Sequence, residues 1–327
     1  MLLVVWLDCY AQKKQSIVVV FYNVENLFDT INDPRTDDDA FTPRGSYKYT
    51  TNIYKQKVAN VAYVLQQMDK AVNGSLAVVG LAEIENGKVL ADVTSHIFLA
   101  KKGYKHISFD SPDPRGIDVA LLYDPKQFRP LSQKPVNANM KEEPTRDILY
   151  VVGVFGKDTV HILVNHWPSR REGKGETAPK RAQVAATNKR MIDSLVAKNV
   201  NAKIILMGDL NDNPDDESAA NVLGAKGGRD GVKPRPLYNP FAELYASGAG
   251  SAAFQKKWNL FDQVIVSRSF MNKNNKGLRY EKAEVFNRDF LITHSGKQQG
   301  YPYRSWRGYQ WMNGYSDHLP VIVYFSR

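Results

Sequence analysis

The sequence predicts a mixed α/β domain of about ten strands, and three observations predict it. Apolar runs of strand length recur along its 327 residues. Two longer stretches between them carry apolar residues at helical spacing, and polar clusters stand at the ends of the apolar runs. No internal repeat and no linker between two cores interrupts this pattern, so residues 13–327 are read as one domain.

Met1–Gln12 (MLLVVWLDCYAQ) has the apolar stretch and small or polar ending of an export signal but lacks its basic start. It is read as an export-signal remnant, with a periplasmic or secreted destination expected. Ile17–Tyr22 (IVVVFY) is a buried first strand running into Asn23-Val24-Glu25-Asn26. A polar loop, Asp29–Thr51, follows, and its Asp37-Asp38-Asp39 run fits a solvated loop better than a cation site. Val58, Val61, Ala62, Leu65 and Met68 give Ile53–Met68 a helical apolar face. Leu76–Ala82 and Val119–Tyr123 are strands, and Ile148–Phe155 with Thr159–Asn165 form a hairpin across Gly156-Lys157-Asp158. Pro179–Ala197 is a basic amphipathic helix with its proline in the first turn. Ile204–Met207, Val264–Val266 and Val321–Phe325 complete the strands, while Gly224–Pro240 reads as a mobile surface loop.

Hydrophobic residues at 43% and charged residues at 24% describe an ordinary globular chain. The net charge of +10 favours anionic partners: nucleic acid, phospholipid headgroups or phosphorylated small molecules. One cysteine, Cys9, excludes an intrachain disulfide and a cysteine-built zinc site. No stretch beyond the first twelve residues is long and apolar enough for stable membrane insertion, and nothing calls for a protein partner.

The polar clusters supply the chemistry of phosphate-ester hydrolysis, which needs charge neutralisation, an activated water and a proton for the leaving oxygen. Glu83, directly after a buried run, is the candidate ligand for a hard cation, with Glu85 in support. His166 follows a strand and is a candidate proton donor, with Asp118 expected to orient its ring. Arg170, Arg171 and Lys174 are candidate phosphate contacts. Asp209 and Asn211 share a face if the chain there stays extended, one taking a proton from water and the other donating to a phosphate oxygen. Asp317 and His318 point apart on an extended chain, so that Asp317 reaches a metal or water and His318 the phosphate. Asp262, entering an apolar strand, is paired with His318, whose charged form it stabilises. Tyr301–Trp311 interleaves rings with Arg304 and Arg307; Arg304 and Trp306 are candidate substrate contacts, the alternative being a packing flap.

Taken in order, Asn23-Val24-Glu25-Asn26, Glu83, Gly116-Ile117-Asp118-Val119-Ala120-Leu121, Asn165-His166, Gly208-Asp209-Leu210-Asn211, Asp262 and Ser316-Asp317-His318 resemble the endonuclease/exonuclease/phosphatase superfamily. The ending Tyr-Ser-Asp-His-Leu-Pro looks most like a bacterial, often exported branch. The resemblance implies a four-layer sandwich, two packed mixed β-sheets flanked by helices, with the site at one end. It implies Mg2+, with Mn2+ or Ca2+ as alternatives, held by Glu83 with Asn23 and Asp317 nearby. It also implies Asp209 acting on the attacking water, Asn211 and His318 on the phosphoryl oxygens, and Asp262 behind His318. His166 stands where abasic-site enzymes carry tyrosine, which argues against that repair activity. A nuclease is the expected function, with a sphingomyelinase-like phosphodiesterase, a phosphomonoesterase and a non-catalytic polyanion-binding module as rivals.

Overall fold

A computed structural model describes residues 16–72, 76–140, 144–228, 236–255, 257–272 and 277–327. Met1–Gln12 lies outside them. In chain order the strands are β1 (Ile17–Leu27), β2 (Leu76–Ile84), β3 (Lys105–Ser108), β4 (Asp118–Tyr123), β5 (Phe128–Val136), β6 (Ile148–Phe155), β7 (Asp158–His166), β8 (Lys203–Asp209), β9 (Leu237–Tyr238), β10 (Ala252–Phe254), β11 (Lys257–Asn259), β12 (Asp262–Ser267), β13 (Arg279–Val285), β14 (Trp306–Arg307), β15 (Gln310–Trp311) and β16 (Val321–Ser326). The α-helices are α1 (Thr51–Ala71), α2 (Gly87–Ser95), α3 (Lys174–Lys198) and α4 (Phe241–Ala246).

Twelve strands make two six-stranded mixed sheets, ordered β13-β16-β1-β2-β4-β3 and β5-β6-β7-β8-β12-β9. Each has one parallel pair at its centre, β1 with β2 and β7 with β8, and antiparallel partners elsewhere. A parallel pair needs a long crossover, and α1 and α3 supply the two. Alternation along the central strands then sorts the side chains into layers. In β1, Val18, Val20 and Tyr22 join a core with α1 and α2, while Ile17, Val19 and Phe21 join a second core against the other sheet. In β8, Ile205 and Met207 enter that shared core, and Ile204 and Leu206 enter a third one with α3. The result is helix, sheet, sheet, helix. Burial on both faces explains why these strands read as unbroken apolar runs.

Two expectations are corrected. The helix expected from Pro179 starts at Lys174, because buried Arg181 donates to Lys174 O (2.9 Å) and Thr177 Oγ1 (2.6 Å) and holds the turn ahead of the proline. The loop expected at Gly224–Pro240 lies partly outside the described residues (229–235); its far end, Leu237–Tyr238, is a buried edge strand on β12.

Candidate active site

The polar clusters converge because strand register brings them together. Asp209 is the Cα partner of His166 across β7–β8 and of Asp262 across β8–β12, which lines three side chains along one sheet end. In the other sheet Asn23 pairs with Ala82, next to Glu83. The pairing then skips from Asn23 to Leu27, and the residues between form a bulge. Glu25, Asn26 and Glu83 take positive φ of 55°, 54° and 64°, and Asn211 takes 49°. That is half of the eight left-handed non-glycine residues described, gathered at one end of the molecule. Local hydrogen bonds hold them there: Asn26 N–H donates to Glu83 Oε2 (2.9 Å), Glu25 N–H to Asn23 Oδ1 (3.0 Å) and Asn211 N–H to Asp209 Oδ1 (2.9 Å).

Asp209 is the centre. Its Oδ2 accepts from Asn23 Nδ2 at 3.0 Å, and the same nitrogen lies 3.3 Å from Glu83 Oε1. His166 Nε2 stands 3.7 Å and His318 Nε2 3.8 Å from that Asp209 oxygen. The two imidazoles have opposite electrostatics. His166 is pushed well below its ordinary value by burial and by the Arg146 and Arg115 guanidiniums. Burial also lowers His318, but Asp262 and Asp209 outweigh it and hold the ring well above its ordinary value. Asp262 Oδ2 lies 2.6 Å from His318 Nδ1 and accepts from Ser251 Oγ at 2.5 Å. Burial pushes the Asp209 carboxyl up to about 6, against the pull of His318.

Other expected residues take different partners. Asp118 does not orient His166: its Oδ1 accepts from the Ser111 hydroxyl and from Ser111 N–H (2.9 Å), because the loop before β4 folds back over it. His166 Nδ1 is buried without a hydrogen-bond partner among the described residues. Instead, Arg146 holds the backbone there, donating to His166 O (3.1 Å) and Trp167 O (2.6 Å). Arg170, expected on the phosphate, clamps the loop that carries Asn211 through Asn211 O (2.6 Å), Asp212 (2.7 Å) and Asp216 (2.5 Å). Lys174 also pairs with Asp216, at 2.5 Å. Arg171 is exposed and in no ion pair among the described residues. Asn211 is not on extended backbone, and its Nδ2 donates to Trp167 O (2.9 Å), leaving one N–H for a substrate oxygen. Trp306, expected to touch substrate, is 4% exposed and packs in the core with Tyr49 and Trp311. Arg304 pairs with Asp317 at 2.8 Å and lies 3.6 Å from Glu25.

Two further groups, outside the candidate set read from the sequence, support the site. Glu25 is buried, accepts from Ser305 N–H (2.6 Å) and Trp306 N–H (3.3 Å), and is pushed up to about 7 by burial and by Asp317. Lys57 is buried on α1 and donates to Val24 O (2.5 Å), Ser305 Oγ (2.5 Å) and Tyr315 O (2.9 Å), tying the end of β1 to the segment before His318. Its signal was present in the sequence, since Lys57 precedes Val61, Leu65 and Met68 on the apolar stripe.

Asp209, Asp262 and His318 offer ligand atoms within 4.8 Å of one another. Asp262 is fully buried, however, and its Oδ2 is engaged by His318 and Ser251, so this trio holds a proton rather than an ion. The carboxylate set around Glu83 fits a hard divalent cation better. Among the described residues no lysine or arginine pairs with Glu83 or Asp209; the Asn23 amide bridges them, with the His166 ring beside both. Such an ion takes one or two carboxylates and completes its shell with water and substrate oxygens. Asn23, expected as a ligand, presents Nδ2 to both carboxylates while its Oδ1 faces Glu25 N–H, so here it aligns them. Asp317 keeps Oδ1 on the His318 side, 4.0 Å from Nε2.

No curated protein sequence matches the chain. A solved structure of D. rerio TDP2 complexed with single strand DNA product is similar at 14% identity and TM-score 0.56, over 95% of this chain and 99% of that one. A Bacteroides thetaiotaomicron mannosyl-6-phosphatase is similar at 16% identity and TM-score 0.56, over 95% and 100%. At these identities the likeness is one of fold. A family model described as the Endonuclease/Exonuclease/phosphatase family matches residues 18–327. With its two packed sheets and its acid, amide and imidazole groups gathered at their end, this chain belongs to the endonuclease/exonuclease/phosphatase family of phosphate-ester hydrolases.

Proposed function

We propose that the protein is a magnesium-dependent phosphodiesterase acting on nucleic acid. The observation that carries the reading is the pair of histidines on either side of Asp209, one held neutral and one held cationic. Environments that drive two like groups apart assign them different proton roles at one pH. His318, charged and braced by Asp262, donates to a non-bridging phosphoryl oxygen. The remaining Asn211 N–H supports the same oxygens. Asp209 takes the proton of the attacking water as its oxygen bonds to phosphorus and the bond to the leaving oxygen breaks, the leaving oxygen taking up a proton from solvent water. His166, uncharged, lies beside both Glu83 and Asp209 and can donate to an oxygen without adding charge. A magnesium ion held at Glu83, with manganese or calcium as alternatives, would neutralise phosphate charge there. The net charge of +10 and the exposed Arg171 favour a polyanion over a neutral ester.

The test is a panel of plasmid DNA, single-stranded DNA, RNA, sphingomyelin, mannose 6-phosphate and an aryl phosphodiester, each with magnesium or chelator. Magnesium-dependent cleavage of nucleic acid is expected, and Asp209→Ala or His318→Ala should slow it by about a hundredfold or more. Turnover of the lipid or sugar phosphate with intact nucleic acid would overturn the substrate assignment. Wild-type rates in both variants would overturn the site.

A further inference from the structure

Next to the segment that joins Glu25 to Arg304 and Asp317 stands an aromatic ledge with no part in the hydrolytic chemistry. Phe28, Phe41 and Tyr47 stack in a column, with centroids 4.2 and 4.3 Å apart and planes within 10° and 11°. The outermost ring, Tyr47, meets Tyr309 at 5.1 Å and Trp306 at 4.8 Å, both edge to face. Tyr309 is 66% exposed at the tip of the β14–β15 ribbon, just after Gly308, whose φ of 55° makes the turn. The ribbon is rooted by buried Trp306 against Trp311 at 5.0 Å. Packing places Trp306 in the core, whereas Tyr309 keeps most of its ring in water on the two-residue turn between Arg307 and Gln310.

Cations stand near the ledge. Arg171, from the segment between β7 and α3, and Arg304 both lie within electrostatic reach of the Tyr47 phenol, and Arg44 and Arg307 are exposed. The reaction centre is close by, since the Trp306 N–H bonds Glu25 and Arg304 pairs with Asp317. A mostly exposed ring braced by Tyr47, with the exposed Arg171 in electrostatic reach of that brace, matches a ligand that offers flat rings on a string of phosphates. A free sugar phosphate brings a single phosphate, already taken at the reaction centre, and leaves Arg171 unanswered. A duplex keeps its bases paired and has no free face to offer.

We propose that Tyr309, backed by Tyr47, is a stacking subsite for an unpaired base of single-stranded nucleic acid, with Arg171 on a flanking phosphate. This deepens the nuclease reading and rests on it for the scissile phosphate. The test is a binding measurement on the full chain in chelator, using a fluorescent oligothymidylate and an abasic oligomer of equal length and charge. Base stacking predicts about tenfold tighter binding of the base-bearing strand. Tyr309→Ala should abolish that preference and leave abasic affinity within about twofold, while Tyr309→Phe retains it. Arg171→Gln should weaken both strands alike and reduce the salt dependence of each. Equal binding of the two strands by the wild type, or an undiminished preference in Tyr309→Ala, overturns the subsite. A base preference that Tyr309→Ala removes, in a protein that cleaves no nucleic acid with magnesium, would leave the subsite standing and sink the nuclease reading alone.

Discussion

Asp262 never reaches the solvent, yet it decides the charge of the imidazole that faces the substrate. Its Oδ2 lies 2.6 Å from His318 Nδ1, and the Ser251 hydroxyl fixes the same oxygen. With the carboxylate in place, His318 holds its proton more tightly than a free imidazole although burial opposes it. Asp262→Asn keeps the shape and removes the anion, so the ring's affinity for its proton must fall. Across a pH range spanning neutrality, the charged form is then lost earlier as pH rises than it is in the wild type. The expected outcome is a variant slower by about a hundredfold at the upper pH, with the deficit relative to wild type shrinking as pH is lowered. Rate profiles of the two proteins over that range check it. A deficit independent of pH would mean that Asp262 only positions the ring.

At the scale of elements, the site depends on how closely β7 and β8 run together. Gly208 is the Cα partner of Asn165, and a Cβ on Gly208 would fall 2.4 Å from Asn165 O and 2.8 Å from Asn165 Cβ. The first of these is backbone and cannot swing away. Gly208→Ala is therefore expected to spread the parallel pair next to His166 and Asp209, costing about 1–3 kcal/mol of stability and lowering kcat even where the protein remains folded. Unchanged kcat at a temperature well below the melt would show that the strands absorb the methyl elsewhere. The same scale explains what could be read beforehand. IVVVFY, LAVVG and IILMG were legible because both faces of a central strand are covered. FRPLSQKPV and RYEKAEV were not, because β5 and β13 are sheet edges where prolines and charges are tolerated and the periodicity fades. Glu83, His166, Asp209, Asp262 and His318 could be picked out because each stands where an apolar run ends or begins. Partner choice was harder: Asp118 turned to Ser111 and Arg170 to Asp212 through loop geometry that no strand pattern encodes.

The whole molecule sets the last condition, because the site has one half on each sheet. Glu83 and Asn23 come from the first sheet, and His166, Asp209 and Asp262 from the second, so the 3.0 Å contact between Asn23 and Asp209 is itself an inter-sheet bond. The apolar core shared by the sheets, from Phe21 to Val264, is what keeps that contact short. Activity should then vanish together with the packing of the two sheets rather than ahead of it. Phe155 is suited to test this. It is fully buried in the shared core at the Asp158 end of the β6–β7 hairpin, the opposite end of β7 from His166. Phe155→Ala is expected to cost about 3–5 kcal/mol and to move the urea midpoints of activity and of tryptophan fluorescence down by the same amount. In the absence of denaturant kcat should stay within about twofold of wild type, since nothing at the site is displaced. If activity instead disappears at a lower urea concentration than fluorescence in the wild-type protein, the strand ends open locally while the core remains closed, and the inter-sheet core is not what holds the catalytic groups together.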